Sequence, residues 1–435
     1  MFKRKFINAL LKWKNRRLHE CLVVKGARQV GKTFIIREFG RQNYKHVIEL
    51  NFLLNEGDKS FFMGGRLDAS TIYSKLSLRF PDVPFDSDTL IFLDEIQMCA
   101  AARTALKPLG EDKRCDVIAA GSMLSIAYKD GISIPVGYER HIEMHAMDFE
   151  EFLWAKGVTE ETISICRAHF INKQKVNERL NEIMLEHMRD YMVVGGMPSV
   201  VKVFLETEGN YEPVHTEQQK IIKGYLDDIT VYAPDVVKPK IKNCYSSIPM
   251  QLAQETNRNF QYSLVEKCKS AKHFDTCFDW LKDAGLVKLC KNVSIPKFPL
   301  EAYKQKERFK VYLTDIGLLV AMYGIELKTG IQYNTLEGSP KDGIYENFIA
   351  DILIKKDLPL NYFRSSKTGS EEIEFLYTYN SHIIPIEVKA GNGASYSLNK
   401  FFDKFELSFA YKFVTGNIGQ VGNKLTLPLY MAMFL

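Results

Sequence analysis

The densest chemistry in the sequence lies in "CLVVKGARQVGKTFIIREFG", residues 21–40. There Gly26, Ala27, Arg28, Gln29, Val30, Gly31, Lys32 and Thr33 follow the pattern GxxxxGK[ST]. Two glycines let the backbone curl, so that its N–H groups and a following helix N-terminus point at phosphate oxygens. Lys32 would reach the β- and γ-phosphates, and the Thr33 hydroxyl would ligate Mg²⁺. A second element, "TLIFLDEIQ" at 89–97, is an apolar run ending in Asp94 and Glu95. At the carboxyl end of a strand Asp94 can hold Mg²⁺, directly or through water, and Glu95 can orient and deprotonate the attacking water. The two elements together predict a site that binds and hydrolyses ATP.

A second set of groups sits near the other end of the chain. Glu374 precedes Glu387-Val388-Lys389 by 13 residues, and the latter lie in the otherwise apolar "PIEVKA". Period-two alternation puts Glu387 and Lys389 on one face of a strand. Charges inside an apolar strand need partners. Two acids and a lysine converging there can hold Mg²⁺ and position a water for attack on a phosphodiester. This resembles the constellation of PD-(D/E)xK nucleases, which implies Glu346, on the helix "KDGIYENFIADILIKK", as a first-turn acid. Glu374 stands where that group usually has Asp. The longer arm displaces the carboxylate by about 1 Å, a misplacement that can cost ~10²-fold in rate. A retained fold with weak or lost cleavage therefore stands beside an active nuclease.

These groups need strands and helices to place them. Leu22–Val24 reads as a buried parallel strand and Phe34–Phe39 as the start of a helix, the order a phosphate loop requires. A third strand, Val117–Ala120, ends at Ser122. That serine either touches the γ-phosphate or the attacking water, or caps a helix starting near Met123. Arg140 lies where a neighbouring subunit's phosphate could be reached. Toward the carboxyl end, Asn361–Arg364, Ile373–Tyr377 and Ile383–Lys389 read as three strands, with Glu374 within the second.

"GARQVGKT", "IFLDEIQ", "AAGSML", "DFEEFL" and "YMVVGGMPSVV" (191–201) together resemble a widespread prokaryotic group of AAA+-type ATPases. Members of that group end in a domain of unknown function related to the restriction-endonuclease core. The resemblance spans nearly the whole chain in the same order. It implies ATP and Mg²⁺ as cofactors and a structural role for the Gly195-Gly196 break, read as a hinge. Members often carry a Gly-Arg pair after the third strand; here Tyr138 and Glu139 separate Gly137 from Arg140.

The middle of the chain is mainly helical. From Ile248 short helices lead through "AGLVKLC" into a strand, which fits a winged helix-turn-helix. Residues 234–310 hold 15 Lys and Arg against 8 Asp and Glu, an excess that suits nucleic-acid phosphates. Asp275, Asp279 and Asp283, at i, i+4 and i+8, argue against base reading by that helix face. DNA contact and a protein-binding or scaffold role both stay open.

The chain has 435 residues, enough for two to four domains. It is 46% hydrophobic and 26% charged, which excludes global disorder. No apolar run reaches 18 residues, so a membrane-spanning helix is not expected. Eight cysteines form no CxxC pair and read as reduced core thiols of a cytosolic protein. His141 and His145 lack an acidic or thiol partner in sequence, so no metal is expected there. The amino end has seven basic residues before position 18, but Phe2, Phe6, Leu10 and Trp13 recur at helical spacing, which predicts a packed amphipathic helix. The expected fold is α/β in three segments. They are a P-loop AAA+-type ATPase domain with helical lid (1–205), a helical and winged-helix connector (206–308) and a restriction-endonuclease-like domain (309–435). ATP is the expected ligand, with DNA, a second copy of the chain or another protein as partner.

Overall fold

Continuous apolar runs, rather than alternating ones, belong to strands covered on both faces, and the first such runs pair in one parallel sheet. The computed structural model describes residues 2–16, 20–122, 137–255, 257–267, 273–274, 276–365, 371–389, 391 and 396–435. Asp275, Cys268 and the helix expected near Met123 lie outside them. The chain packs as two compact units. One is 4–145 with 283–285; the other is 146–282 and 286–435 with the first three residues. Residues 146–205, expected within the first segment of 1–205, pack with the second unit.

In the first unit the strands are β1 (Cys21–Lys25), β2 (His46–Asn51), β3 (Thr89–Asp94), β4 (Asp116–Ala120) and β5 (Glu139–Glu143). Their order is β2-β3-β4-β1-β5 and every pairing is parallel. β3 is buried at all six positions, with Leu90–Leu93 hydrophobic throughout and the polar Thr89 and Asp94 at its ends. Parallel pairing puts the carboxyl ends of β1, β3 and β4 at one edge, which is where α/β sheets bind ligands. Helix Lys32–Asn43 follows β1 and buries Ile35, Ile36 and Phe39. The amino-terminal helix is Phe6–Lys14; it buries Leu10 and Trp13, whose indole donates to the Glu20 carbonyl at 2.9 Å.

The second unit opens with helices Phe149–Ala155, Glu160–Asn172, Glu178–Val194, Pro198–Glu206 and Tyr211–Tyr232. The "DFEE" segment starts the first of them as a capping box: Glu151 N donates to Asp148 at 2.8 Å and Asp148 N to the Glu151 carboxylate at 3.0 Å. Gly195 and Gly196 form a tight joint instead of an open hinge. A Cβ on Gly196 would lie 1.9 Å from the Met147 carbonyl oxygen, and one on Gly195 2.1 Å from Asp315 Oδ1. Gly196 N donates to Asp315 Oδ2 at 2.7 Å. Only the missing side chains let these backbones meet.

Helices Lys238–Leu252, Tyr262–Val265 and Cys277–Asp283 precede an antiparallel hairpin of β6 (Val287–Val293) and β7 (Lys304–Leu313). On the helix Cys277–Asp283, Asp279 is 2.7 Å from Lys282. β6 also pairs in parallel with β8 (Asn361–Arg364), which pairs with β9 (Glu372–Ile373). The hairpin is thus one side of a sheet ordered β7-β6-β8-β9. The remaining strands are β10 (Phe375–Tyr379), β11 (His382–Val388), β12 (Ala410–Val414), β13 (Gly419–Val421) and β14 (Lys424–Pro428), in the order β10-β11-β12-β14-β13. Helix Ser339–Lys355 projects Glu346. Among the described residues, no helix is long and apolar enough to cross a membrane, and seven cysteines are free and buried.

Candidate functional site

The phosphate loop departs from ordinary backbone where its sequence permits. Gly26 has φ 150° and Gly31 φ 97°, the latter immediately before helix Lys32–Asn43. A Cβ on Gly26 would sit 2.2 Å from the Met144 carbonyl oxygen. Gln29 adopts φ 68°, a left-handed conformation a non-glycine residue rarely takes. Ala27 and Val30 are buried, while Arg28 and Gln29 are exposed. Outside the motif, Arg4 braces the loop: its guanidinium donates to the Val30 carbonyl at 3.1 Å and the His145 carbonyl at 2.8 Å.

Lys32 is buried and folds back onto the loop, donating to the Gly26 and Ala27 carbonyls at 2.9 and 2.8 Å. Burial lowers its pKa to about 8, against the opposing pull of Glu95 and Asp94. The Thr33 hydroxyl donates to Asp94 at 3.0 Å, and Asn51 Nδ2 donates to the same carboxylate at 2.9 Å. Burial, and then the neighbouring Glu95, raise the Asp94 pKa. Glu95 takes a left-handed conformation at φ 52°, and its carboxylate accepts a hydrogen bond from Gln97. Ser122 is buried just past the end of β4. Arg140 lies within β5, paired with Leu22.

The donor set suits Mg²⁺: a hydroxyl and a carboxylate already within 3.0 Å of each other, both hard oxygens, beside a buried ammonium. Sequence reasoning missed Asn51. Asn51 closes a strand, HVIELN, that alternates instead of running apolar as the one before Asp94 does, yet the two residues face each other in register. His141 and His145 do have acidic neighbours, Glu139 at 3.0 Å and Glu143 at 3.9 Å. Those pairs arise from i, i+2 spacing, which a search for clustered ligands overlooked.

The carboxyl-terminal groups also converge, with two corrections. Glu374 is not within a strand; it occupies the bend between β9 and β10, where the chain passes from one sheet to the other. Lys389, just past β11, places its ammonium 3.8 Å from Glu374 and 3.7 Å from Glu387. Burial pushes the Glu374 pKa up to about 7, while Lys389 opposes and Glu346 and Glu387 reinforce the shift. Glu387 is 1% exposed and its Oε2 has no hydrogen-bond partner.

The second correction concerns Glu346. It lies in the second turn of its helix, because the helix begins at Ser339 and the first-turn acid is Asp342. Glu346 Oε1 accepts from Lys310 at 2.5 Å and from the Tyr312 hydroxyl, and Oε2 accepts from Arg258 at 3.2 Å. Burial alone would raise its pKa, but Lys310 and Arg258 outweigh it and hold the carboxyl below its ordinary value. Lys310, fully buried, also lies 2.5 Å from Glu372, which Arg364 meets at 3.0 Å. Sequence reasoning missed this network. Its signal was "RFKVYL", where Lys310 and Tyr312 share one face of an apolar strand just as Glu387 and Lys389 do.

A family profile described as an AAA domain matches residues 18–153. Two described as domains of unknown function, DUF8612 and DUF4143, match 185–329 and 341–426. No curated protein matches the chain. Among solved structures the chain is similar to the Walker-type ATPase PABY2304 of Pyrococcus abyssi, at 13% identity, over 74% of this chain and 96% of that one, with TM-score 0.43. It is similar to the ORC1 protein of Aeropyrum pernix in complex with DNA at 12% identity, over 77% and 95%, TM-score 0.29. It is also similar to the RuvB Holliday junction branch migration motor of Thermotoga maritima at 13% identity, over 69% and 91%, TM-score 0.28. The profile, the loop geometry and the parallel sheet agree: residues 18–153 are an AAA-type P-loop ATPase domain.

Proposed function

We propose that the chain binds and hydrolyses ATP at Lys32, Thr33, Asp94 and Glu95, and that this cycle controls a second site which binds and cleaves DNA. At the first site, Lys32 exchanges its bonds to the Gly26 and Ala27 carbonyls for phosphate oxygens. Glu95 leaves Gln97 to take the proton of the attacking water, and Ser122 and Asn51 orient the groups around the γ-phosphate. Mg²⁺ held by Thr33 and Asp94 would neutralise phosphate charge. Arg140 as a group acting on a neighbouring copy, and assembly with a second copy or another protein, belong to the same proposal. So does a cytosolic setting, which reduced core thiols favour.

At the second site Glu374 and Glu387 would hold a divalent cation, and Lys389 would orient the water or stabilise charge on the phosphate. The observation that carries this reading is Glu387, a buried carboxylate whose Oε1 lies 3.7 Å from the Lys389 ammonium and whose Oε2 has no hydrogen-bond partner. A buried carboxylate oxygen without a partner offers a place to a water or a cation. In the three-segment reading, 206–308 delivers the nucleic acid. The helices before β6 and the basic residues of the β6–β7 hairpin (Lys288, Lys291, Lys304, Lys306 and Arg308) are the winged-helix contact to phosphates.

One observation favours a second reading, an ATP-gated switch that binds DNA or a protein without cutting. Glu346 is already neutralised by Lys310 and Arg258, which leaves the site fewer acids than the sequence promised. Plasmid nicking in Mg²⁺ or Mn²⁺, with and without ATP, separates the two. Cleavage lost in Lys389→Ala supports the nuclease; intact ATPase with no cleavage under either metal supports the switch.

A further inference from the structure

The β6–β7 hairpin is pinned toward its base and at its tip, yet the tip displays apolar side chains to solvent. Toward the base, Lys310 on β7 is buried in ion pairs with Glu346 and Glu372. At the tip, Ser294 N donates to the Tyr303 carbonyl at 2.9 Å. Val293 and Leu300 there join a buried cluster with Phe363, Leu398 and Phe401. The connecting loop, 294–299, nevertheless leaves Ile295 40% and Phe298 54% exposed, with Lys297 exposed as well. Neither apolar side chain belongs to that cluster. The strand beside the loop is irregular. Lys291 pairs with Phe309 and Asn292 with Gln305, so Lys306, Glu307 and Arg308 have no residue opposite them on β6. The Lys291 ammonium donates to the Lys306 carbonyl at 3.1 Å and holds this bulge in place. Lys306 and Glu307 are exposed and Arg308 is half-buried. From 294 to 308 the chain carries Lys297, Lys304, Lys306 and Arg308 against Glu307 and Glu301, the latter paired with Lys304.

We propose that loop 294–299 is a wedge for duplex DNA: Phe298, supported by Ile295, presses between adjacent base pairs while Lys297, Lys306 and Arg308 meet the phosphates. The proposal rests on the reading of the hairpin as a nucleic-acid contact and goes beyond it, because phosphate contacts alone need no apolar side chain. Apolar side chains set among cations are what duplex-bending proteins insert at a base step. A platform for single strands stacks successive bases on successive rings, and this loop has one ring. A protein interface excludes charge from its core, whereas Lys297 lies between the two apolar residues in the chain. The pinned hairpin makes the wedge rigid. Lys310 joins β7 to the helix bearing Glu346, so a base step opened by Phe298 keeps a fixed position relative to that helix.

The test is the fluorescence of a short DNA duplex carrying 2-aminopurine, which brightens when its base is unstacked. The duplex is titrated with the full chain in chelator, so that nothing is cut. The parent is expected to brighten it at saturation. Phe298→Ala is expected to keep the salt dependence of binding and to lose most of the brightening, and Phe298→Leu to restore part of it. Phe298 is exposed, so both variants should melt as the parent does. Lys306→Ala combined with Arg308→Ala is expected to lower the slope of log affinity against log salt by about two, one for each phosphate contact, while the saturated complex still brightens. Equal brightening by the parent and Phe298→Ala overturns the proposal, and so does a parent that binds without brightening. A parent that binds no duplex overturns the nucleic-acid reading of the hairpin together with the wedge. Binding to vesicles of anionic lipid that is lost in Phe298→Ala, with no brightening of the duplex, assigns the loop to a lipid surface and overturns the wedge alone.

Discussion

The two carboxylate sites of this chain are built in opposite ways. At the ATP site the groups that matter come from a contiguous octet and the last residues of neighbouring parallel strands. Strand ends all open at one edge of the sheet, so residue type plus strand position suffices to locate them. In the carboxyl-terminal cluster the groups come from a loop (Arg258), a β-hairpin (Lys310, Tyr312), a helix (Asp342, Glu346), a bend (Glu374) and a strand end (Glu387, Lys389). Their pairing follows from charge balance: Glu346 is neutralised by Lys310 and Arg258, whereas Glu374 and Glu387 share Lys389. A motif thus identifies the first kind of site, and the second kind only becomes readable when every counter-charge is placed.

The largest test of that contrast is at the phosphate loop. Lys32→Ala should lower ATP turnover by about 10²–10³-fold, the usual cost of removing one preorganised donor to transition-state charge, while Glu387→Gln leaves turnover unchanged. Phosphate release measured on both variants checks this; a Glu387→Gln variant that also loses ATPase would show that the sites are not chemically separate. The next largest effect is on stability. Lys310 sits between Glu346 and Glu372 with no exposure. Lys310→Met leaves two carboxylates without their shared cation, and breaking a buried pair of this kind costs about 3–5 kcal/mol. Urea unfolding monitored by tryptophan fluorescence should show the loss. A midpoint close to that of the parent would mean that Lys310 is not the charge that fixes Glu346.

Much of this was legible from residues alone. Strands β1, β3 and β4, helix Lys32–Asn43, strand β8 and the helix bearing Glu346 were placed by apolar runs and by the phosphate-loop pattern. Three things were not, each for a physical reason. The sequence reads as a single strand over Ile373–Tyr377, with Glu374 inside it. Alternation reports which face a side chain takes, and it is silent about a strand changing sheets. Gly195-Gly196, followed by Met197-Pro198, reads as a sharp break, and the family resemblance implies a hinge there. The close approaches of Met147 and Asp315, distant in sequence, turn the same pair into a fixed joint. The resemblance to the nuclease constellation implies Glu346 as a first-turn acid, but the helix begins at Ser339, and element boundaries are what patterns fix least well. The Lys310 network required pairing across more than 30 residues, from Lys310 to Glu346 and on to Glu372, which no local spacing encodes.

The smallest predicted effect sharpens the comparison most, because it reads out one carboxyl. Glu374 has its pKa raised to about 7 by burial, from an ordinary value of 4.5. Between those values the folded chain holds a proton that the unfolded chain has released. The stability this contributes is fully present below about pH 4.5, is lost as pH rises through about 7, and is constant above. In chelator, the stability of the parent relative to Glu374→Gln should therefore decline from pH 5 to pH 8, by no more than about 3 kcal/mol for a shift of this size. Urea midpoints of the two proteins at four pH values measure it, and parallel curves would sink the assignment of a buried, protonatable Glu374. Lys389 is the strongest group opposing the shift. Its ammonium is partly exposed and 3.7–3.8 Å from its partners. Lys389→Ala should cost less than about 1 kcal/mol near neutral pH, yet move the inflection to higher pH. If the inflection stays where it is, Lys389 does not act on Glu374. Lys389 would then differ from Lys310, which is held directly against Glu346 and Glu372, and Glu374 would owe its shift to burial and its acidic neighbours.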